Sequence, residues 1–333
     1  MISLGLLIAF GDSYLDTIQA SNLKSYVTYL ASDELKGRQT PSPELDKAAD
    51  YIAAEFKKDG VQPGNKDSYF QETEWTRGTA TGQKVRNVIG MIPGTDPVLS
   101  KQYVIVSAHY DHLGAKTVDP EKPNEDVIFN GADDDASGVA GVIQIGKALA
   151  KEKPKRTIIL MMFYGEEKGM VGSRFYVKNP VFPLKDTVAN INLEQIGRTD
   201  DNEGPRVSAG SLTGFSFSSI GSTFAKIGKD MGVPVTGHPR FSAAYFSASD
   251  NIAFAGIGIP AHTICTAFDF PDYHKVGDHA DKLDYENMVK IVKLTAATVW
   301  DIVNSDAKPS WNAEEPKAAR YIEAAKKLTE GSF

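Results

Sequence analysis

The 333-residue chain contains a single cysteine, Cys265. One thiol excludes an internal disulfide framework and any cysteine-rich metal site. Cys265 lies in the apolar run AHTICTA and is expected to be a buried small hydrophobe, because a nucleophilic thiolate needs a positioned base. The sequence also lacks a basic block. Lys and Arg total 36 against 43 Asp and Glu, for a net charge of −7, which argues against a nucleic-acid partner. No apolar run is long enough to span a bilayer. MISLGLLIAFG, residues 1–11, is too short; its Ala9 and Gly11 have the small-x-small form of a signal cleavage site, without the basic segment that normally precedes one. Residues 1–20 are therefore expected to be a signal remnant or an unstructured start. Export to a periplasmic or extracellular location follows from that expectation, with a cytoplasmic location as the alternative. No internal repeat or low-complexity linker interrupts the chain.

Hydrophobic residues make up 41% and charged residues 24%, the composition of a globular protein that buries a full core. SNLKSYVTYLASDELKG (21–37) reads as a capped helix and turn. In SPELDKAADYIAAEFKKDG (42–60), Ser42 is the expected N-cap, Pro43 the first helical residue and Gly60 the stop. Leu45, Ala48, Ala49, Ile52, Ala53 and Phe56 form its apolar stripe. Strands are expected at 85–94, 103–109, 157–163, 188–193 and 259–266, and helices at 137–151, 169–179, 217–232 and 284–304. The Ala/Lys/Glu-rich end predicts a surface helix over about 312–330. Continuous apolar strands alternating with helices predict an α/β three-layer sandwich: a mostly parallel central sheet with helices on both faces, in one domain over 21–333.

The polar residues of interest follow the buried strands. His109 and Asp111 come after 103–108, Glu166 and Glu167 after 157–163, Glu194 after 188–193, and His274 and Asp278 after 259–266. Ligands of open α/β sheets bind beyond the carboxyl ends of the strands. NGADDDASGVAG (130–141) adds three adjacent aspartates, Asp133, Asp134 and Asp135, with nothing basic in the stretch. A divalent cation is the natural neutraliser. Imidazole and carboxylate without thiolate suit zinc, with manganese or cobalt as substitutes, and one carboxylate between two ions can bridge them. In HYD, residues two apart on an extended strand share a face, so Asp111 can accept the second ring N–H of a metal-binding His109. In GEE, one carboxylate can bind metal while its neighbour serves as a general base.

The ordered set HYDHLG, NGADDDASG, GEE, NLEQIG and YHKVGDHADKLD resembles the co-catalytic zinc exopeptidases of the bacterial leucyl aminopeptidase type, whose relatives include glutamate carboxypeptidase and glutaminyl cyclase. The resemblance runs from YLASDELKGR to the helix after DKLDYENM. It implies two zinc ions, with His109 a ligand of one, Asp134 the bridge, Glu167 and His274 ligands of the second, and Glu194 a ligand of the first where many members have aspartate. It implies Glu166 as general base, with Asp111 beside it in the catalytic set, and hydrolysis of N-terminal residues from peptides. YFSASDNIAFAGIGIPA (245–261) resembles the segment lining the specificity pocket, with Tyr245 or Asp250 as substrate contacts. An inserted protease-associated domain is expected to be absent.

Other readings attach to the remaining residues. His112 is expected to be a structural hydrogen-bonding residue near the site, His262 a core histidine, and His238 a loop histidine without a visible partner. His279 is unassigned, and 119–126 is an exposed loop at the rim. A glutaminyl-cyclase-like acyltransferase would use one zinc. A carboxypeptidase would need a basic pocket, for which Arg174, Arg198 and Arg240 are the candidates. A non-catalytic receptor module would be expected to have shed ligands or the base.

Overall fold

Buried runs alternate with amphipathic ones along the chain, and the architecture follows that alternation. The computed structural model describes residues 14–331. Its strands are β1 (Gln62–Pro63), β2 (Phe70–Glu74), β3 (Lys84–Ile92), β4 (Tyr103–His109), β5 (Gly114–Ala115), β6 (Ile128–Phe129), β7 (Thr157–Phe163), β8 (Thr187–Leu193), β9 (Gly210–Leu212), β10 (Val235–Thr236) and β11 (Ala261–Cys265). Its helices are α1 (Ala20–Leu30), α2 (Pro43–Lys58), α3 (Gly138–Leu149), α4 (Val171–Lys178), α5 (Ser219–Met231), α6 (Asn251–Ala255), α7 (Tyr285–Asn304) and α8 (Ala319–Glu330).

The main sheet runs β1-β3-β7-β4-β8-β11-β9-β10, with β2 also paired to β3. Its centre, β7-β4-β8-β11, is parallel. Successive side chains of β4 and β7 point to opposite faces. Val104, Val106, Ile158, Leu160 and Met162 join one hydrophobic cluster with side chains of α1, α2, α3, α5 and α7. Ile105, Ile159, Met161 and Phe163 join another with Tyr176 of α4, Phe254 of α6 and Tyr321 of α8. Helices therefore cover both faces, which is why YVIVSAH and TIILMMF are apolar throughout. This is the expected α/β sandwich. The outer strands depart from parallel: β3 is antiparallel to β7, β2 to β3, and β11 to β9. The nine residues between β2 and β3 are too few for a parallel crossover, which takes about a dozen or more.

Ser42 accepts a hydrogen bond from the Leu45 N–H and caps α2 as expected, and all six residues of the predicted stripe are buried. The first helix is followed by a turn, as expected. It ends at Leu30, and a single turn at Asp33–Leu35 leads into Lys36, Gly37 and Arg38, all with positive φ. That backbone turns Arg38 into the interior. The terminal helix begins at Ala319, because Pro316 starts a separate turn capped by Glu315. It is not purely a surface element, since Tyr321 is buried against Trp311 and Phe246.

The expected signal remnant falls largely on residues 1–13, outside the described part. Its boundary at residue 20 is corrected: Tyr14 and Ile18 are buried, with the Tyr14 ring 5.6 Å from that of Trp300, so the packed domain starts before residue 21. Among the described residues, no helix is long and apolar enough to cross a membrane.

His262 on β11 is completely buried. Its Nδ1–H donates to the Thr213 carbonyl at 2.8 Å, and its Nε2 accepts from the Ser218 hydroxyl at 2.6 Å. Acceptance at Nε2 requires the neutral ring, and burial lowers its pKa from 6.5 to about 4. The unfolded chain binds this proton at a higher pH than the folded one. The stability it contributes is therefore complete above about pH 6.5 and lost as pH falls towards 4. Urea denaturation across that range should show wild type losing on the order of 3 kcal/mol more than His262→Gln.

Candidate metal centre

Because β7, β4, β8 and β11 are parallel neighbours, their carboxyl ends lie along one edge of the sheet. His109 is the last residue of β4. Glu166 and Glu167 follow β7, and Glu194 directly follows β8. His274 arrives from the loop after β11.

The acidic loop enters this edge between β6 and α3. Ala132–Ser137 is an irregular turn, broken at Asp134 (φ −108°, ψ 93°) and Asp135 (φ −128°, ψ 40°). Its three carboxylates have different surroundings. Asp133 accepts the backbone N–H groups of Gly197 at 2.6 Å and Arg198 at 3.2 Å. Asp135 accepts those of His109, Gly138 and Gln195. The outer aspartates thus fasten the ends of β4, α3 and β8 to one another, and the middle one is left for the site. Gly138 makes this approach possible. A Cβ there would lie 2.4 Å from both an Asp135 carboxylate oxygen and the Leu193 carbonyl. Asp278 braces the loop from the other side by accepting the N–H groups of Asp133 and Asp134.

Arg38 supplies the permanent positive charge. It is completely buried, and its guanidinium donates to the carbonyls of Leu30, Tyr110, Asn130 and Gly131. It acts electrostatically on Asp111, Asp134, Asp278 and Asp135. The sequence pattern gives it no role; its only signal is an arginine beside a glycine turn, in LKGR, ahead of the acidic motif.

Asp134 faces both sides of the centre. One oxygen is 3.1 Å from His109 Nε2, and the other is 3.1 Å from His274 Nε2. His274 Nε2 is also 3.3 Å from Glu167 Oε1. His109, Asp134 and Glu194 bring donor atoms together, as do His112, Asp134 and Glu167. His109 Nε2, Glu167 Oε1 and Glu194 Oε2 are buried and make no hydrogen bond to any described residue. Buried polar atoms are ordinarily paired. Donors sharing a tetrahedral zinc at ~2.0–2.1 Å would stand about 3.3 Å apart, close to the separations found. The residues fit a divalent cation.

The charges are sorted by environment. Burial pushes Glu166 well above the usual carboxylate range, opposed by His109. Burial and Asp134 push Glu167 upward, but His112 and His274 outweigh them and bring it down to about 2. Burial raises Glu194 to about 7, against the pull of His109. Adjacent carboxylates in GEE therefore differ, one suited to holding a proton and one to holding a cation.

The structure brings His109, Asp134, Glu167, Glu194 and His274 together, with Glu166 beside them. Asp111 departs in detail. The His109 Nδ1–H donates to the Asp111 backbone carbonyl at 3.2 Å, and the nearer carboxylate oxygen is 3.6 Å away. That carboxylate instead accepts from the Thr40 hydroxyl and the Glu166 N–H, each at 3.0 Å. Asp111 is therefore a positioning residue for both the ligand and the base.

A cavity of about 250 Å³ opens beside Glu194, lined in part by Gln195, Thr213, Tyr245, Phe268 and Tyr273. Tyr245 is among its lining residues. Asp250 is not: it is completely buried and accepts from the Ser173 hydroxyl, because its segment turns inward to start α6. Cys265 reaches the cavity wall but is buried, and burial raises its thiol pKa well above 9. His238 has partners after all, stacking on Phe241 and lying 3.2 Å from Glu203. His279 lies 3.1 Å from Asp126 of the rim loop. His112, expected to be a structural hydrogen-bonding residue, makes no ring hydrogen bond to any described residue.

Fold and site together define a metal-dependent hydrolase of the α/β sandwich type. Residues 87–299 match peptidase family M28, well over half of the chain, and the protein belongs to that family. It is 24% identical over 321 residues to a probable zinc metalloprotease of Pyrenophora teres f. teres, covering 89% of this chain and 67% of that one. It is 25% identical over 311 residues to aminopeptidase YwaD of Bacillus subtilis, covering 90% of this chain and 62% of that protein's length. The solved structure of BSAP, a zinc aminopeptidase from Bacillus subtilis, superposes with a TM-score of 0.68 at 15% identity, over 92% of this chain and 99% of that one.

Removing the Arg38 guanidinium strands several buried carbonyls and withdraws a buried cation from the acidic loop. Arg38→Met is expected to lower folding stability by about 3–5 kcal/mol, read from the shift of the urea midpoint at constant slope.

Proposed function

We propose that the protein is a zinc-dependent aminopeptidase that removes N-terminal residues from peptides and works with two zinc ions. The observation that carries this reading is the position of Asp134, whose two oxygens face His109 and His274 at 3.1 Å each. Glu194 completes the first donor group and Glu167 the second. One carboxylate presented to two donor groups is the arrangement of a two-metal hydrolase. A one-zinc cyclase would leave His109 and Glu194 without a task. The names of the fungal and Bacillus relatives agree with this reading. Manganese and cobalt suit the same donors.

Zinc held there supplies Lewis acidity, making water nucleophilic near neutral pH and polarising the scissile carbonyl. Glu166 removes the proton of the attacking water and delivers it to the leaving amine. Burial raises its affinity for that proton, and His109 opposes the rise. Asp111 holds the Glu166 backbone through its N–H and so aims the carboxyl.

The cavity beside Glu194 receives the first side chain of the peptide. Tyr245, Phe268 and Tyr273 give it aromatic walls, and Phe241 stacks under Tyr245 at 4.9 Å. Such walls favour apolar and aromatic N-terminal residues. Among the described residues, no lysine or arginine lines it, which speaks against a carboxypeptidase, whose substrate carboxylate needs a cation. The arginines raised as candidates lie elsewhere. Arg198 is held between Asp200 and Asp272, Arg240 is exposed and paired with Glu203, and Arg174 is an exposed residue of α4 that is not among the cavity residues.

The test is hydrolysis of a panel of aminoacyl-p-nitroanilides, with N-acetylated controls, by zinc-loaded enzyme. Cleavage should be confined to free-amine substrates and favour leucyl and phenylalanyl members. Glu166→Gln should lose about 10²–10⁴-fold in kcat while zinc content holds. Cleavage of the acetylated controls at comparable rates would defeat the aminopeptidase reading.

A further inference from the structure

His112 lies three residues beyond the end of β4 and is completely buried. Neither of its ring nitrogens has a hydrogen-bond partner among the described residues. A buried neutral imidazole ordinarily donates from one nitrogen and accepts at the other, as His262 does. His112 Nδ1 is 2.9 Å from Glu167 Oε1, yet that oxygen is also without a hydrogen bond, so the contact is close in distance and wrong in direction. The same oxygen lies 3.3 Å from His274 Nε2. Donor atoms of His112, Glu167 and Asp134 all fall within 4.8 Å of one another. Lone pairs gathered this closely without a shared hydrogen repel unless a cation lies among them.

The ring is not free to swing away. Its backbone pairs with the Arg38 segment. Gly131 presses on its other side, where a Cβ would come within 2.5 Å of His112 Cγ. Gly131 also has φ +59°, so the position is reserved for glycine twice over. The segment that carries the acidic loop therefore also clamps this imidazole against Glu167.

We propose that His112 is a further ligand of the second metal ion, which is then held by Asp134, Glu167, His274 and His112. The proposal rests on the two-ion reading above. It makes the second ion a two-histidine site and the first a one-histidine site. The two ions should then exchange and accept substitute metals differently, since imidazole favours zinc over oxygen-preferring cations.

The test uses the intact protein loaded with ¹¹³Cd and labelled with ¹⁵N-histidine. Scalar coupling to cadmium is expected at the imidazoles of His109, His274 and His112, with the His112 signal identified by its loss in His112→Gln. In the same variant, metal retained against graded chelator should show the first ion held as in wild type. The second should be weakened by about a hundredfold or more, beyond the 10–100-fold typical of a residue that merely orients a ligand. Cadmium coupling at His109 and His274 but not at His112 would overturn the assignment and leave the two-ion reading standing. A single cadmium per wild-type chain would overturn both. The coupling is read on wild type, so the assignment remains testable if His112→Gln does not fold.

Discussion

Arg38 spreads its guanidinium over the carbonyl oxygens of Leu30, Tyr110, Asn130 and Gly131, and so closes the loop that carries Asp133, Asp134 and Asp135. The loop is buried along its length. Carboxylates cannot be carried out of water side by side unless each finds a partner. Arg38 is a partner whose charge does not depend on pH, and it acts on Asp134 and Asp135. Backbone N–H groups from the ends of β4, α3 and β8 supply the rest. The same bonds that make the aspartates tolerable also pin three strand and helix ends to a common point. Neutralisation and site geometry are one problem here, solved by one set of contacts.

That arrangement gives identical side chains different duties. Asp133 and Asp135 are consumed by backbone hydrogen bonds, and Asp134 is left to face His109 and His274. Glu166 and Glu167 diverge in the same way. Glu167 lies between His112 and His274, and its carboxyl is brought down to about 2. Glu166 lies in the desolvated part of the centre, where burial favours its protonated form. Two neighbouring carboxyl groups pushed in opposite directions form an acid–base and ligand pair of the kind hydrolysis requires.

Much of this was legible in the sequence because strand ends are legible. TIILMMF followed by GEE, and VANINL followed by Glu194, put polar residues at the carboxyl ends of buried runs. Parallel packing then brings those ends to one edge. The stripe of α2 and its Ser42 cap were readable for a similar reason, since both depend on contacts a few residues apart. Asp250 misled, because a resemblance to a pocket-lining segment does not fix where its side chain points, and only its contact with Ser173, 77 residues earlier, reveals that it is inside. Arg38 went unrecognised for the same reason. Arg38 meets Asn130 and Gly131 from more than 90 positions away, and no local pattern marks such a pairing.

By itself, the sequence determined the order of strands and helices, the positions of the polar residues after each buried run, and the resemblance that assigned ligands and base. These rest on periodicity and on short-range chemistry. The tertiary structure alone decided that Asp133 and Asp135 are tied up by backbone N–H groups, that Asp111 steadies Glu166 through the backbone, and that the cavity has aromatic walls without a basic group among the described residues. Each of those outcomes depends on the direction in which a side chain points after distant segments have packed, and direction is a property of the assembled backbone.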